Sequence, residues 1–309
     1  MNINFENPYL VDKDFLFQKK MITLENDQLQ VQIKTAGAEL TKIYSKQTQL
    51  DYLWNGDEKF WKRHAPILFP IVGKLKEHTY FVNHQKYHLP QHGFARDNEF
   101  NVVSNNGNKI TFELNYSDKT LEIYPYKFKL HVSYTLIENS IKIKYQVKNE
   151  DDKAIYFSIG AHPAFSCPIT SETSFSDYYI EFETPETPLQ YSLNKTNGLR
   201  TINPTEQSLD KIFKLNYELF EDDALIYKNI SSKKIALKSN KHEHGLNFLS
   251  SDWEYFAFWT KKDAPFICFE PWMGAADLET TNQDFTQKDS IIKLDVDKEL
   301  EKEYMIELF

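Results

Sequence analysis

Polar and apolar residues alternate along much of the chain, a pattern typical of β-strands that bury one face. Segment 30–44 contains two such runs on either side of a Thr-Ala-Gly-Ala turn, which predicts an antiparallel hairpin. In segment 100–114 the runs flank Asn106-Gly107, a pair that tolerates the positive φ angles of a tight hairpin turn. Segment 128–148 predicts a third hairpin, with a Glu-Asn-Ser turn between its two strands.

Strand-like runs continue to the C-terminus. They cover residues 178–182, 234–238, 255–260, 266–270, 291–296 and 303–309. Short helices are expected only around residues 282–288, and no long segment shows the 3.6-residue period of an amphipathic helix. Many short strands at modest spacing predict an all-β fold, organised as a large antiparallel β-sandwich or barrel.

Residues 21–309 contain no evident linker and no internal repeat, so we expect a single domain that begins with a strand at Met21. Residues 1–20 precede that strand as an N-terminal extension of uncertain origin: a native extension, a cloning remnant or a misassigned start. They lack the continuous apolar core of a signal peptide.

The composition narrows the classes of partner. Of the 309 residues, 41% are apolar and 15% aromatic, which fits a globular protein rich in β-structure. The formal net charge of −9 argues against a nucleic-acid partner, since binding a phosphate backbone requires a basic face. No apolar run approaches the 18 or so residues that cross a membrane, so we expect no membrane insertion.

The two cysteines give no sign of a disulfide framework or a structural metal. Cys167 and Cys268 are far apart in sequence, and neither belongs to a metal-binding cluster. Two cysteines without a disulfide pattern favour a reducing compartment, and we predict a cytoplasmic location. Cys268 is interpreted as a small apolar residue of the strand that leads to Glu270.

Three polar residues occupy unusually constrained positions. His162 precedes a proline and follows a strand-like run, residues 153–159, so it is expected at a strand end. His92 precedes a glycine, and Glu270 ends an apolar run immediately before a proline. Two histidines and one carboxylate are the parts of a general acid/base site. Each histidine alone would more often be a structural turn residue.

Four other histidines suggest a competing hypothesis. His84 and His88 form one closely spaced pair, and His242 and His244 form another. A period-two strand would place the members of each pair on one face, as in the metal sites of cupins. Their neighbours are mostly Lys, Gln and Glu, which is typical of solvated loops, so the prediction for metal is none.

A set of short motifs resembles the aldose 1-epimerase (galactose mutarotase) family, and in particular its LacX-like bacterial branch. The motifs occur in the family's order and span most of the chain: His64-Ala65-Pro66-Ile67-Leu68-Phe69-Pro70-Ile71-Val72-Gly73-Lys74, His92-Gly93-Phe94-Ala95-Arg96-Asp97, Gly160-Ala161-His162-Pro163-Ala164-Phe165, Asp222-Asp223-Ala224-Leu225-Ile226 and Phe269-Glu270-Pro271-Trp272. The resemblance implies a β-supersandwich fold, a sugar substrate, and no metal or organic cofactor.

The resemblance also implies roles for the three constrained residues. Glu270 matches the general base, His162 the general acid, and His92 a second histidine that holds the sugar near its ring oxygen. Turnover would require an ionised Glu270 and a protonated His162, a state that mutual attraction favours if the two lie close. Activity should then follow a bell-shaped pH profile.

Further residues are candidates for substrate binding. Asp223 matches the acceptor of sugar hydroxyls, although a shift of one residue would put Asp222 there. The family often has arginine where this chain has Lys74 or Lys76. Arg96 suits either an anionic group of the substrate or a structural salt bridge. Trp272, Phe94 and Phe165 are candidates for stacking on a sugar ring or for filling the core.

Three functions remain open at this point. The first is a mutarotase acting on a free aldose such as glucose or galactose. The second is a hexose-6-phosphate mutarotase, although the few candidate arginines, Arg63, Arg96 and Arg200, argue mildly against a phosphate site. The third is a carbohydrate-binding protein without turnover. The oligomeric state is left open.

Overall fold

The computed structural model describes residues 21–309, and the expected N-terminal extension at residues 1–20 lies outside this part. The strands of the first half are β1 (Met21–Glu25), β2 (Leu29–Lys34), β3 (Glu39–Ser45), β4 (Leu50–Asp51), β5 (Ile67–Leu68), β6 (Thr79–Val82), β7 (Gln85–His88), β8 (Asn101–Asn105), β9 (Lys109–Asn115), β10 (Phe128–Ile137), β11 (Ser140–Asn149), β12 (Ile155–Phe157) and β13 (Ile159–Ala161). Those of the second half are β14 (Ala164–Ser166), β15 (Tyr178–Glu181), β16 (Leu189–Tyr191), β17 (Thr205–Glu206), β18 (Ile212–Lys214), β19 (Leu225–Lys228), β20 (Lys234–Ser239), β21 (Leu246–Ser250), β22 (Tyr255–Trp259), β23 (Phe266–Met273), β24 (Ile292–Leu294) and β25 (Glu299–Leu308).

The three predicted hairpins are confirmed. Strands β2 and β3, β8 and β9, and β10 and β11 pair in antiparallel fashion. Gly107 lies in the turn of the second hairpin with a φ of 92°, the positive value expected for this turn. The alternation of polar and apolar residues therefore predicted both the strands and their partners in these segments.

Two large antiparallel sheets dominate the architecture. The nine-stranded sheet has the order β18-β15-β20-β21-β25-β11-β10-β9-β8, so the C-terminal strand lies in its interior. The eight-stranded sheet has the order β17-β16-β19-β22-β23-β13-β5, and β14 pairs with β23 beside this path. Phe248 of the larger sheet and Phe269 of the smaller one approach to 5.9 Å between ring centroids, within the main apolar core. Sheets packed face to face confirm the predicted β-sandwich.

Strand β23 separates the main core from a second face of the eight-stranded sheet. Ile267 and Phe269 point into the main core. Cys268 and Trp272 belong to two smaller apolar clusters, as period-two alternation requires of residues on the opposite face. Glu270 lies between them in sequence and shares their parity. The candidate residue Glu270 is therefore on the face of the strand opposite the main core.

Two predicted boundaries were wrong. The run 153–159 is not one strand, because it divides at Ser158 into β12 and β13, which pair in different sheets. Glu270 does not end its strand, because β23 continues through Pro271 to Met273. A proline removes only one N–H and favours extended geometry in its predecessor, so the strand passes through it. His162 does follow directly after β13, as expected.

Helices are few and short. The α-helix is α1 (Asp118–Ile123), and 3₁₀ turns occur at Lys76–His78, Ala95–Asp97, Phe175–Asp177, Tyr217–Phe220 and Phe285–Gln287. The last falls within the region expected to be helical, whereas α1 was not predicted. It is capped by Ser117 and Thr120, whose side chains bond each other's backbone N–H groups. No helix in residues 21–309 is long and apolar enough to span a membrane.

Candidate active site

A cavity of about 660 Å³ opens on the face of the eight-stranded sheet that points away from the main core. This volume lies in the usual range for small-molecule sites, roughly 300–1,000 Å³. The lining includes the three residues predicted for catalysis, which are Glu270, His162 and His92, and, among the candidates for substrate binding, Asp223, Lys74, Arg96 and Trp272. Residues separated by up to 198 positions in sequence, from Lys74 to Trp272, are thus brought together.

His162 and Glu270 are neighbours because of the register of the sheet. Strand β13 pairs with β23 before His162, and β14 pairs with β23 after it, in one continuous register. Position 162 is therefore level with position 270. Pro163 has no N–H to donate, but its carbonyl accepts the N–H of Phe269 at 3.1 Å, so backbone pairing continues next to the two facing side chains. The His162 Nε2 lies 3.1 Å from the Glu270 Oε2.

Glu270 is a carboxylate removed from water. Only 1% of the residue is exposed, and burial raises its pKa well above the usual value. The nearby Asp223 carboxylate raises the pKa further, while the Trp272 indole acts in the opposite direction. Oε2 is at ion-pair distance from His162, but its angles are not those of a hydrogen bond. The carboxylate is thus held in a setting that favours its neutral form.

His162 is enclosed by aromatic rings and subject to similar desolvation. Burial is the main cause that lowers its pKa to about 3, and the positive charges of Arg96 and Arg63 add to this effect. Trp61 stacks on the imidazole with ring centroids 4.8 Å apart and an interplanar angle of 29°. Trp259 meets the same ring at 5.6 Å and 85°. Neither tryptophan was predicted from the sequence.

The two shifts change the expected protonation of the pair. Proximity was predicted to favour an ionised Glu270 beside a protonated His162. Burial instead favours the neutral form of each group, so a neutral pair is stabilised relative to the ion pair. Both arrangements contain the same single proton. Two groups whose nitrogen and oxygen lie 3.1 Å apart titrate as a coupled pair.

His92 has a defined tautomer. The backbone N–H of Gly73 donates to its Nδ1 at 3.1 Å, so the proton of the neutral ring resides on Nε2. Burial keeps the pKa of His92 well below its usual value, and the ring remains neutral. The Gln91 side-chain nitrogen lies 3.3 Å from that Nε2, and rotation of the amide by 180° places its oxygen there to accept the proton. His92 thus offers one N–H at the cavity wall.

The structure distinguishes the two adjacent aspartates. The Asp222 carboxylate forms an ion pair with Lys195 at the exposed edge of the cavity. Asp223 has a φ of 91°, and its carboxylate accepts the N–H of Ala224 at 2.8 Å. Asp223 also raises the pKa of Glu270, which places its charge in the field of the buried carboxylate. Both aspartates line the cavity, and Asp223 is the one whose charge acts on Glu270.

The two candidate lysines differ in the same way. Lys74 lines the cavity and has no ion pair or side-chain hydrogen bond among residues 21–309. Lys76 is absent from the lining and directs its Nζ towards the Glu279 carbonyl, 3.5 Å away. Its backbone N–H donates to Asp277. Lys74 is thus the one placed to meet a ligand.

Of the three candidate arginines, Arg96 alone lines the cavity. It donates to the Gln91 carbonyl at 2.6 Å and lies 3.8 Å from Asp97, so part of its guanidinium serves a structural role. Its buried Nε has no hydrogen-bond partner in the described chain. Arg63 is paired with Asp97 at 2.7 Å. Arg200 is completely buried and lies outside the cavity lining.

The aromatic candidates divide between site and core. Trp272 lines the cavity, and its indole nitrogen has no hydrogen-bond partner within the described residues. Phe94 and Phe165 belong to the main core and do not line the cavity. The period-two pattern signals Trp272, because it shares a strand face with Glu270. No comparable signal marks Trp61, which reaches the site from a loop.

The histidine pairs considered as metal ligands lie elsewhere. His84 is in the β6–β7 turn and His88 ends β7. His242 bonds the Tyr178 hydroxyl at 2.8 Å, and its ring is 5.4 Å from that of His244. None of the four belongs to a group of three potential ligands in the part of the chain described. One such group occurs there, with atoms of His162, Cys268 and Glu270 all within 4.8 Å of one another.

Comparison with known proteins agrees with this architecture. The family model described as aldose 1-epimerase matches residues 20–291. The plasmid-encoded protein LacX of Lactococcus lactis subsp. lactis is 36% identical over 297 residues, which cover 90% of this chain and 96% of that protein. Its chromosomal counterpart matches to the same extent.

Solved structures show the same fold. A galactose mutarotase related enzyme from Lactobacillus acidophilus superimposes with a TM-score of 0.90 at 31% identity, covering 94% of this chain and 97% of that one. A galactose mutarotase-like protein from Lactobacillus casei gives a TM-score of 0.85 at 32% identity, covering 94% of this chain and 100% of that one. The family match extends over most of the sequence, and the chain belongs to the aldose 1-epimerase family.

Proposed function

We propose that the protein is an aldose 1-epimerase that interconverts the α and β anomers of a hexose. The observation that carries this proposal is the 3.1 Å contact between His162 and Glu270 at a sugar-sized cavity. A carbohydrate-binding protein has no need of a buried carboxylate next to a buried imidazole, since each group is costly to remove from water. An enzyme that moves protons between two oxygens of one substrate does need such a pair.

The reaction follows from one base and one acid. The step starts from the ion-paired arrangement of the His162–Glu270 proton: Glu270 takes the proton of the anomeric hydroxyl while His162 gives a proton to the ring oxygen. The bond between the anomeric carbon and the ring oxygen breaks, and an open-chain aldehyde results. Rotation about the first carbon–carbon bond presents the other face of the aldehyde. The ring closes as the two proton transfers run in reverse, so the enzyme is regenerated without a covalent intermediate.

Other cavity residues have supporting roles in this proposal. The neutral His92 donates its Nε2 proton near the ring oxygen. Asp223 accepts hydrogen bonds from sugar hydroxyls, and Lys74 and Arg96 provide cationic contacts. Trp272 offers an apolar surface to the ring. Each role is supported by a position in the cavity lining.

The proposal is tested by anomer exchange measured with saturation-transfer NMR on glucose and galactose. Removal of a general base typically costs roughly 10²- to 10⁴-fold in rate, so Glu270→Gln should lose activity by that factor. Glu122→Gln provides a matched control, because Glu122 is exposed on α1. If the wild type binds a sugar but accelerates no exchange, the protein is a binder and the enzymatic proposal fails.

A phosphorylated hexose is a second candidate substrate. Lys74 and Lys262 both line the cavity, and neither has an ion pair among residues 21–309. Two unpaired cations favour a ligand that carries negative charge. The same NMR experiment on glucose 6-phosphate and galactose 6-phosphate decides between the two substrate classes. A higher kcat/KM for the phosphorylated sugars, lost in Lys74→Met, would favour the second.

We further infer a cytoplasmic location. Cys167 and Cys268 are both free and buried, a state suited to a reducing compartment. Fractionation with and without removal of the cell envelope would test this.

A further inference from the structure

Trp61 makes the most extensive aromatic contact with His162, yet it belongs to none of the sequence motifs. Its indole stacks on the imidazole at 4.8 Å and 29°. It also lies 5.8 Å from the Phe266 ring at 28°, and meets the Trp259 ring edge-on at 5.5 Å. A side chain with three ring neighbours has little rotational freedom. Its face is therefore a fixed surface for the imidazole.

The loop that carries Trp61 is tied down through its backbone. The N–H groups of Phe60 and Trp61 both donate to the Asp57 carbonyl at 3.0 Å. The Trp54 indole donates to the Trp61 carbonyl at 2.8 Å, and Lys261 donates to the Phe60 carbonyl at 2.8 Å. Four hydrogen bonds thus converge on this short turn. The position of the Trp61 ring is set by the fold and does not depend on a bound ligand.

The charges around His162 show what a stacked indole contributes. Arg96 and Arg63 both disfavour an additional positive charge on the imidazole. The neutral ring of His92 lies 5.7 Å from the His162 ring, measured between centroids. The carboxyl group of Glu270 contacts the His162 imidazole. The face of an indole carries a negative quadrupole that attracts cations. Among these neighbours, the face of Trp61 favours the imidazolium ion, and Glu270 favours it once its carboxyl group is ionised.

We propose that Trp61 is a positioning residue for His162: it fixes the plane of the imidazole so that Nε2 faces Glu270, and its π face stabilises the protonated ring that acts as the acid. This inference rests on the proposed mutarotase function. Trp61 also lines the cavity, but the role proposed for it is exerted through His162.

The test compares Trp61→Leu, Trp61→Phe and a control, Trp253→Leu, in steady-state anomer exchange. Trp253 lies outside the cavity lining, and its indole donates to the Glu303 carbonyl at 3.1 Å. Misplacement of a catalytic group by about 1 Å can cost roughly 100-fold in rate, so Trp61→Leu should lower kcat by about 10- to 100-fold. KM should change by less than about threefold, because the sugar's own contacts remain. Trp61→Phe should restore most of kcat, since a phenyl ring keeps a π face, and Trp253→Leu should match the wild type.

A second measurement isolates the electronic part of the effect. Biosynthetic replacement of tryptophan by 5-fluorotryptophan withdraws electron density from the indole face with little change of shape, and weakens its attraction for a cation. The labelled wild type should lose severalfold in kcat, and labelled Trp61→Phe should not. This comparison cancels the effects of the other four tryptophans.

Distinct outcomes would overturn the inference. A rise in KM at constant kcat in Trp61→Leu would make Trp61 a sugar-stacking surface and not a positioning residue. Full activity of Trp61→Leu, or a Trp61→Phe as impaired as Trp61→Leu, would also refute it. If the wild type itself accelerates no exchange, the proposed function fails instead. The two failures are thus distinguished by the wild-type rate.

Discussion

Gly93 is the backbone element that allows His92 to reach the cavity, and its replacement by alanine should be severe. The residue has a φ of 71°, in the left-handed region. A Cβ at this position would lie 2.3 Å from the carbonyl oxygen of Phe69, far inside any van der Waals contact. That oxygen accepts the N–H groups of Phe94 and Ala95 at 3.0 and 3.1 Å. An added methyl group therefore collides with an oxygen that is held by two hydrogen bonds.

The magnitude follows from two contributions. A non-glycine residue in the left-handed region costs about 1–2 kcal/mol. Displacing the carbonyl weakens its two hydrogen bonds, each worth about 0.5–1.5 kcal/mol. The free energy of unfolding of Gly93→Ala should thus fall by about 2–5 kcal/mol. Gly107 offers a matched comparison, because it has a φ of 92° but nothing within 4 Å of its added Cβ. The free energy of unfolding of Gly107→Ala should fall only by the backbone cost of about 1–2 kcal/mol.

Urea unfolding followed by tryptophan fluorescence would measure both variants, with anomer exchange as the functional readout. We expect Gly93→Ala to be about 1–3 kcal/mol less stable than Gly107→Ala. Its residual kcat should fall at least about tenfold, because His92 is its neighbour. Gly107→Ala should keep wild-type kcat. Equal destabilisation of the two variants would refute the argument, since it would mean that the collision with Phe69 is relieved at no cost.

Three further predictions concern the site and its support. The rate of exchange should follow a bell-shaped pH profile, since Glu270 and His162 act with one shared proton: activity falls at low pH when a second proton binds, and at high pH when the last one leaves. Because burial raises the pKa of Glu270, activity should decline on the alkaline side only above the pH range in which an ordinary carboxyl group titrates. An alkaline decline that already occurs at about pH 4–5 would contradict this. Asp223→Asn should lower kcat/KM at least tenfold while Asp222→Asn changes it less than threefold, and equal effects would contradict the assignment of Asp223 to the site. Lys288→Met should reduce the free energy of urea unfolding by about 3–5 kcal/mol, because the Lys288 Nζ lies 3.0 Å from the carboxylate of Asp277 and both residues are buried. A loss below about 1 kcal/mol would show that Asp277 takes up a proton and becomes neutral in the variant.

Much of the fold was predictable because alternation has direct physical meaning. A strand that buries one face must alternate, and the segments around Asn106-Gly107 and residues 128–148 did so clearly enough to predict both strands and pairing. The α-helix at Asp118–Ile123 was missed, because six residues are too few to display a 3.6-residue period. The proline after Glu270 was read as a strand end, yet a single missing N–H did not stop β23.

The site was predictable where its residues belong to motifs, and not where it depends on loops. His162 and Glu270 could be named from sequence, but their 3.1 Å separation depends on pairing between strands about 100 residues apart. Arg200 was a candidate ligand of phosphate, whereas the structure buries it against Ala276 and Tyr255. Trp61 had no sequence signal, because a loop tryptophan looks the same whether it stacks on a catalyst or on solvent.

The register of β23 decides which residues can do chemistry. Side chains of this strand alternate between the main core and the cavity face, so Glu270 reaches His162 only because it has the same parity as Trp272. A slip of one residue would place Phe269 opposite His162 and bury Glu270 in the apolar core. Strand β23 pairs with β13 before Pro163 and with β14 after it, so a slip would require both pairings to shift. The sheet thus holds the carboxylate beside the imidazole through backbone pairing on both sides of His162.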